Sequence, residues 1–168
     1  MEPKEILDFI CRRRSVRRFQ KKPVPDEILE VLMKAAMAAP SGNNAQPWEF
    51  VIVRDLKIKE EISRVHSWVY MAAEAPAAIV VLGNKGSEWW EDDCAAATEN
   101  LLLAAANLGL GAVWCGIKEE QAKVVRKILG VGGPMGVLCI VPIGYPAESP
   151  SSHTKYRKDK VHWDRYAK

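Results

Sequence analysis

The sequence predicts an α+β domain in which one central sheet, mixed or antiparallel, is covered by helices. Two observations predict it. Stretches with apolar residues at helical spacing intermix with short β-branched runs, in an irregular order that matches no repeating β-α-β plan. The 168 residues are 48% hydrophobic and 27% charged, without internal repeat or low-complexity linker, which is the composition of one globular domain over residues 1–168. A chain of that length buries roughly two thirds of its unfolded surface.

The elements follow in order. Residues 3–12 read as a helix with Ile6, Phe9 and Ile10 on one face and Pro3 in its first turn. Its C-terminus delivers Arg12, Arg13, Arg14, Arg17 and Arg18, with Ser15 among them. After the stiff Pro23-Val24-Pro25 connection, Asp26 is the expected cap of a second helix, whose stripe is Ile28, Leu32, Ala35, Ala36 and Ala39. Pro40 stops it, and Ser41-Gly42-Asn43-Asn44 is loop chemistry. Residues 50–53 form a strand, 56–64 and 68–74 short helices, and 78–82 a buried strand. Asp92 or Asp93 is expected to cap a long Ala-rich helix that runs to Leu108, with Gly109 just beyond its end. Residues 112–115 make a third strand, 119–129 a helix, and 137–143 a fourth strand. The stretch 148–168 is polar and basic, yet carries Trp163 and Tyr166, so it is expected to pack on something other than itself.

Several functions are excluded at this level. The net charge of +3 is too small to argue for a polyanion partner, although basic residues crowd into 12–22 and 155–168. Cys11, Cys94, Cys115 and Cys139 form no C-x-x-C pair, and three of them lie among small or apolar residues, as free thiols in a reducing, cytoplasmic compartment do. His66, His153 and His162 are scattered in polar surroundings and read as surface, so no metal site is expected. The N-terminus is charged and lacks an apolar signal core, and no run approaches the ~20 apolar residues of a membrane span. There is no G-x-S-x-G elbow and no phosphate-binding G-x-x-x-x-G-K-[ST]. Gly109-Leu110-Gly111 follows a helix and has Trp114 where a dinucleotide fingerprint needs its third glycine.

The arginine cluster at 12–18 is the strongest chemical signal. Guanidinium matches phosphate oxygens two at a time, so Arg density around a serine reads as an anion cradle. A solvated basic face and a nucleic-acid stripe are the competing readings.

Motifs further along bear on that choice. Arg13-Arg14-Ser15-Val16-Arg17 precedes Pro40-Ser41-Gly42-Asn43-Asn44-Ala45-Gln46-Pro47-Trp48 by about a helix length. Asp93-Cys94-Ala95-Ala96-Ala97, Leu108-Gly109-Leu110-Gly111, Trp114-Cys115-Gly116, Ile143-Gly144-Tyr145-Pro146 and Lys155-Tyr156-Arg157 then follow in order. Taken together over nearly the whole chain, these resemble the nitroreductase family of FMN-dependent oxidoreductases.

The resemblance implies an interlocked homodimer with FMN at its interface, the C-terminal arm 148–168 embracing the partner. It implies that Arg13, Arg14 and Ser15 hold the phosphate and lower ribityl chain, and that Lys155 and Arg157 form a second cationic arm. Arg17 would approach the flavin N1/O2 edge, where a positive charge stabilises reduced flavin. Pro40, Ser41, Gly42 and Asn44 resemble the loop that meets the isoalloxazine ring across the interface, and Val113, Trp114 and Gly116 would lie along the flavin's far side. Trp114 and the Ser-Gly-Asn turn also have plain structural readings, as core and as a helix-ending turn. Of the adjacent Trp89 and Trp90, one would be core and the other would shape the substrate pocket. The implied reaction is ping-pong hydride transfer from NAD(P)H through flavin to an electron-poor acceptor such as a nitroaromatic or quinone, with no catalytic acid, base or nucleophile from the protein. Reductive dehalogenation or dehydrogenation on the same cradle, and a phosphate- or nucleic-acid-binding module, are the alternatives.

Overall fold

The computed structural model describes residues 2–151 and 155–166; His153, read above as a surface residue, lies outside them. The order is α1 (Pro3–Cys11), α2 (Asp26–Met37), β1 (Trp48–Val53), α3 (Leu56–Ser63), α4 (Met71–Glu74), β2 (Ala77–Asn84), α5 (Trp90–Asn107), β3 (Gly111–Ala112), β4 (Cys115–Gly116), α6 (Glu119–Leu129) and β5 (Met135–Gly144). The strands form one sheet in the order β1-β2-β5-β3, with β4 also on β5, and every pairing is antiparallel. The fold is α+β, with the expected sheet antiparallel throughout these pairings.

β2 is buried along almost its whole length because both sheet faces are covered. Successive side chains of a strand point to opposite faces, so Ile79 and Val81 join Leu29, Leu32, Ala97 and Leu101 in a core under α2 and α5. Ala78, Val80 and Leu82 join Ile62, Met71, Val125 and Ile140 in a second core under α3, α4 and α6. The Ala-rich α5 lets α2 and the sheet approach closely, and Gly109 follows its end with φ of 75°, the left-handed conformation that closes a helix.

Three expectations change. Asp26 is the first helical residue of α2 and pairs with Arg54, while Pro25 takes the cap position. α5 starts at Trp90, ahead of Asp92 and Asp93, because Asp93 accepts from the Gly42 amide of another loop and Trp90 is packed over Gly83 and Gly136. The strand expected at 112–115 is interrupted into β3 and β4. Pro142 of β5 stands opposite Val113; it accepts from the Val113 amide at 3.4 Å but has no N–H to return the bond.

Two segments stay largely exposed. α1 has no buried residue: Ile6, Leu7, Phe9 and Ile10 all remain exposed, on a helix whose start is secured by the Glu2 amide donating to Glu5 Oε2 at 2.7 Å. The described tail, 155–166, is exposed throughout, Trp163 at 85%.

All four thiols are free, and three are buried. Burial pushes Cys94 up to about 12 and Cys115 up to about 11, and moves Cys139 upward as well. Native protein at pH 8 should therefore take up iodoacetamide at half-buried Cys11 and at the other three only after unfolding, a pattern that mass spectrometry reads directly. Because these folded values lie above the unfolded thiol value of about 8.5, the stability they contribute is complete below that pH. It is lost as the pH climbs through the folded values, so the urea midpoint should fall above pH 9. A second outcome concerns β3, where a Cβ on Gly111 would stand 2.5 Å from Val16 Cγ1. Gly111→Ala should cost about 1–3 kcal/mol, a fall in Tm of about 3–10 °C, whereas Gly132→Ala, with nothing within 4 Å, should not move it.

Candidate functional site

The chain leaving α1 is pulled across the sheet edge. The Val16 amide donates to Ala112 O at 3.0 Å, and Ser15 bridges Ala112 in parallel, which places residues 14–16 alongside β3. Further on, Phe19 bridges Pro146, Gln20 N–H donates to Tyr145 O at 2.8 Å, and Ala147 N–H donates to Arg18 O at 2.9 Å. The arginine segment is thus held between β3 and the chain that follows β5.

Carboxylates and carbonyls fix its orientation. Glu148 Oε1 accepts from the Arg17 amide at 2.5 Å and from the Arg18 amide at 3.3 Å. The Arg13 guanidinium pairs with Glu99 of α5 at 3.0 Å. Arg14 folds back, Nη1 donating to Cys11 O and Arg13 O at 2.5 and 2.6 Å and Nε to Ser151 O at 3.0 Å. Arg17 lies near β4, since its charge opposes the upward shift that burial imposes on Cys115.

Between these segments is a cavity of about 420 Å³. Of the residues named from sequence, Arg13, Arg14, Ser15, Arg17 and Lys155 line it together. Ile10, Cys11, Pro150 and Ser151 also line it, and among the described residues no carboxylate does. Four cationic residues and two serines around one space, with no carboxylate among the described lining residues, suit a phosphate group. A second cavity of about 380 Å³ shares Ser15, Arg17 and Pro150 and adds Arg18, Tyr70, Glu148 and Ser149. Arg157 lines neither; both of its nitrogens Nε and Nη2 donate to Asp159, at 3.1 and 2.6 Å.

Pro40, Ser41, Gly42 and Asn44 also stand apart from these cavities. Gly42 does permit a close approach, and what approaches is the Trp89 ring: a Cβ at Gly42 would lie 2.7 Å from Trp89 Cδ1. The Gly42 amide donates to Asp93 Oδ1 at 2.9 Å. The paired tryptophans divide as expected in one respect: Trp90 packs against the α2–α5 core, while Trp89 is half exposed beside the loop.

Val113 is buried and Trp114 packs against the α2–α5 core. Exposed Gly116 accepts at its carbonyl from Trp68 Nε1 at 2.8 Å, which holds the exposed Trp68 ring at β4, while exposed Tyr70 lines the second cavity. Sequence reasoning missed Glu99, Glu148, Pro150 and Ser151. Nothing local marks the two carboxylates, which act over 86 and 131 residues respectively, whereas Pro150-Ser151 could have been suspected from its place just before Lys155. Among the described residues there is no group of three or more His, Cys, Asp or Glu able to hold a metal ion, and no helix long and apolar enough to cross a membrane.

Comparison with known proteins agrees with this architecture. A family model described as Nitroreductase family matches residues 10–68 and 63–145. A protein of Archaeoglobus fulgidus with the provisional name NADH dehydrogenase/NAD(P)H nitroreductase is 38% identical over 96% of this chain and 99% of its own length. The solved FMN-dependent nitroreductase of Clostridium difficile R20291 superposes with a TM-score of 0.90 at 29% identity, covering 95% of this chain and 99% of that one. An iodotyrosine deiodinase of Thermotoga neapolitana is 31% identical over 94% of this chain and 96% of its own length. With the fold, the order of motifs and these matches in agreement, the chain belongs to the nitroreductase family.

Proposed function

We propose that the protein is an FMN-dependent oxidoreductase that passes hydride from NAD(P)H to an electron-poor small molecule, a nitroaromatic or quinone. The observation that carries the reading is the convergence of Arg13, Arg14, Ser15, Arg17 and Lys155 on one cavity whose described lining residues include no carboxylate. The matching names are those of FMN and NAD(P)H enzymes. The concave arrangement also favours a small phosphate ligand over a nucleic-acid duplex, because four cationic residues line one cavity and two of their guanidinium groups are already committed to Glu99 and to backbone carbonyls.

The residues fit the cofactor. Arg13, Arg14, Ser15 and Lys155 would hold the phosphate, each charge-assisted contact contributing about 1.5–3 kcal/mol. FMN, when bound, supplies the hydride chemistry. The chain supplies orientation and charge: Glu148 pins the Arg17 backbone, so a permanent cation stands at a defined place near the β3–β4 break, preorganised for charge that develops during reduction. Exposed Trp68 and Tyr70 offer flat apolar surface to an aromatic acceptor. No side chain is assigned a proton-transfer or nucleophilic role.

Three further parts belong to this reading. The protein works as a homodimer, supported by the exposed apolar residues of α1 and by the exposed rings of Trp163 and Tyr166 on the C-terminal arm. A second copy would also bring Pro40, Ser41, Gly42 and Asn44 to a cavity they do not line in their own chain, with Val113, Trp114, Gly116 and the Arg157 arm flanking it. The compartment is the reducing cytoplasm, supported by four free thiols.

The test is the visible spectrum of the purified protein, then anaerobic addition of NADH or NADPH. A flavin band that bleaches is expected; a protein that stays colourless after incubation with FMN refutes the reading. Lys155→Ala should weaken FMN binding roughly ten- to a hundredfold in a fluorescence titration. Arg17→Ala should act differently, slowing reduction of bound FMN about a hundredfold in stopped flow while changing its affinity less. Iodotyrosine offered as the oxidant tests dehalogenation, the second reading, favoured by the deiodinase relative; iodide release faster than nitroaromatic reduction would put it first.

A further inference from the structure

The loop after α2 has an unusual backbone. Asn43, Asn44 and Gln46 have φ of 52°, 54° and 46°, left-handed values that are uncommon for residues with a Cβ, Asn least so. Bonds within the loop shape it: Ser41 Oγ accepts from the Gln46 amide at 3.0 Å, and Asn44 Oδ1 accepts from Gln46 Nε2 at 3.1 Å. Because both partners of each bond belong to the loop, neither fixes where the loop stands.

That anchorage comes from α5. Asp93 Oδ1 accepts from the Gly42 amide at 2.9 Å, and the Trp89 ring closes over Gly42 from one turn earlier. Asp93 is 5% exposed, and its Oδ2 is buried without a hydrogen-bond partner among the described residues. Burying a carboxylate with one oxygen unbonded disfavours folding, so packing alone does not account for an acid here. Its place in the first turn of α5, where the amide dipoles favour an anion, makes the charge tolerable. What the carboxylate adds is a charge-assisted grip on one backbone N–H.

We propose that Asp93 and Trp89 are positioning residues: they latch Gly42, and so set where Ser41 and Asn44 stand against the flavin ring. The inference rests on the FMN reading above. It also assigns Gly42 a place in the latch, since its amide and its open side are already taken by α5. Neither latch residue lines the phosphate cavity, so their loss disturbs the surroundings of the ring while Arg13, Arg14 and Lys155 keep their places.

The experiment is an FMN titration with visible circular dichroism of the FMN-loaded protein, on wild type and on Asp93→Ala, Asp93→Asn and Trp89→Ala. Wild-type protein that binds no FMN refutes the flavin reading itself, which is thereby separated from the latch. With wild type binding, Asp93→Ala and Trp89→Ala should each weaken FMN about tenfold and alter the flavin's visible dichroism. Asp93→Asn, which keeps an acceptor for the Gly42 amide, should restore both. Trp89 is half exposed, so its alanine variant tests the latch even where Asp93→Ala does not fold. A folded Asp93→Ala or Trp89→Ala variant with wild-type affinity and dichroism overturns the latch, as does an Asp93→Asn variant no better than Asp93→Ala.

Discussion

The short parallel pairing of residues 14–16 with β3 is the constraint on which the site depends. One backbone hydrogen bond, from the Val16 amide to Ala112 O, carries the arginine segment onto the sheet edge. The approach is so close that only a residue without a side chain serves at position 111, because Val16 occupies the space a Cβ would need. With the segment docked, Arg14 and Arg17 are presented from a backbone that cannot drift. A loop of the same composition would scatter its charges in water, where separated guanidinium groups gain more from solvation than from a shared cavity.

Crowding cations opposes folding, and the structure offsets it with counter-charges that stand outside the described lining of the arginine cavity. Glu99 meets Arg13 from the flank, and Glu148 binds amides of the segment through its carboxylate while bordering the neighbouring cavity. Arg14 commits Nη1 and Nε to carbonyls at the end of α1 and at Ser151 of the tail. Each device steers a guanidinium or its backbone, and among the described residues none puts a carboxylate in the cavity lining. Preorganisation of this kind is what lets a binding site act on a ligand's charge without first rearranging.

Sequence legibility tracked the range of the interactions. α6 and the end of α5 were readable because Gly130 and Gly109 mark helix ends through their own conformations, 66° and 75° in φ. β2 and β5 were readable because burial on both faces demands unbroken apolar runs. The division of β3 from β4 was not, since its cause is a proline in a different strand. The unburied face of α1 was equally hidden: Ile6, Phe9 and Ile10 spell an amphipathic helix whether the partner surface lies in the same chain or in another. In the site, arginine and serine could be named from local chemistry, but Glu99 and Glu148 could not, because carboxylates on helices and tails are ordinarily solvated.

Gly42 shows how a close approach read from sequence can have a cause within the chain itself. A glycine in a Ser-Gly-Asn-Asn turn suggests close approach, and sequence alone directs that approach toward a ligand. In the folded chain the near neighbour is Trp89, and the amide is bound by Asp93. The glycine is needed because an indole and a carboxylate from α5 arrive at the same peptide from different directions. The strained residues beside it then become intelligible. Left-handed backbone is tolerated by Asn43 and Asn44, whose short amide side chains can bond locally, but is unfavourable at Gln46. It persists where contacts formed elsewhere leave no better path, and here the path is set by Pro40 at one end, Pro47 leading into β1 at the other, and the α5 latch between them.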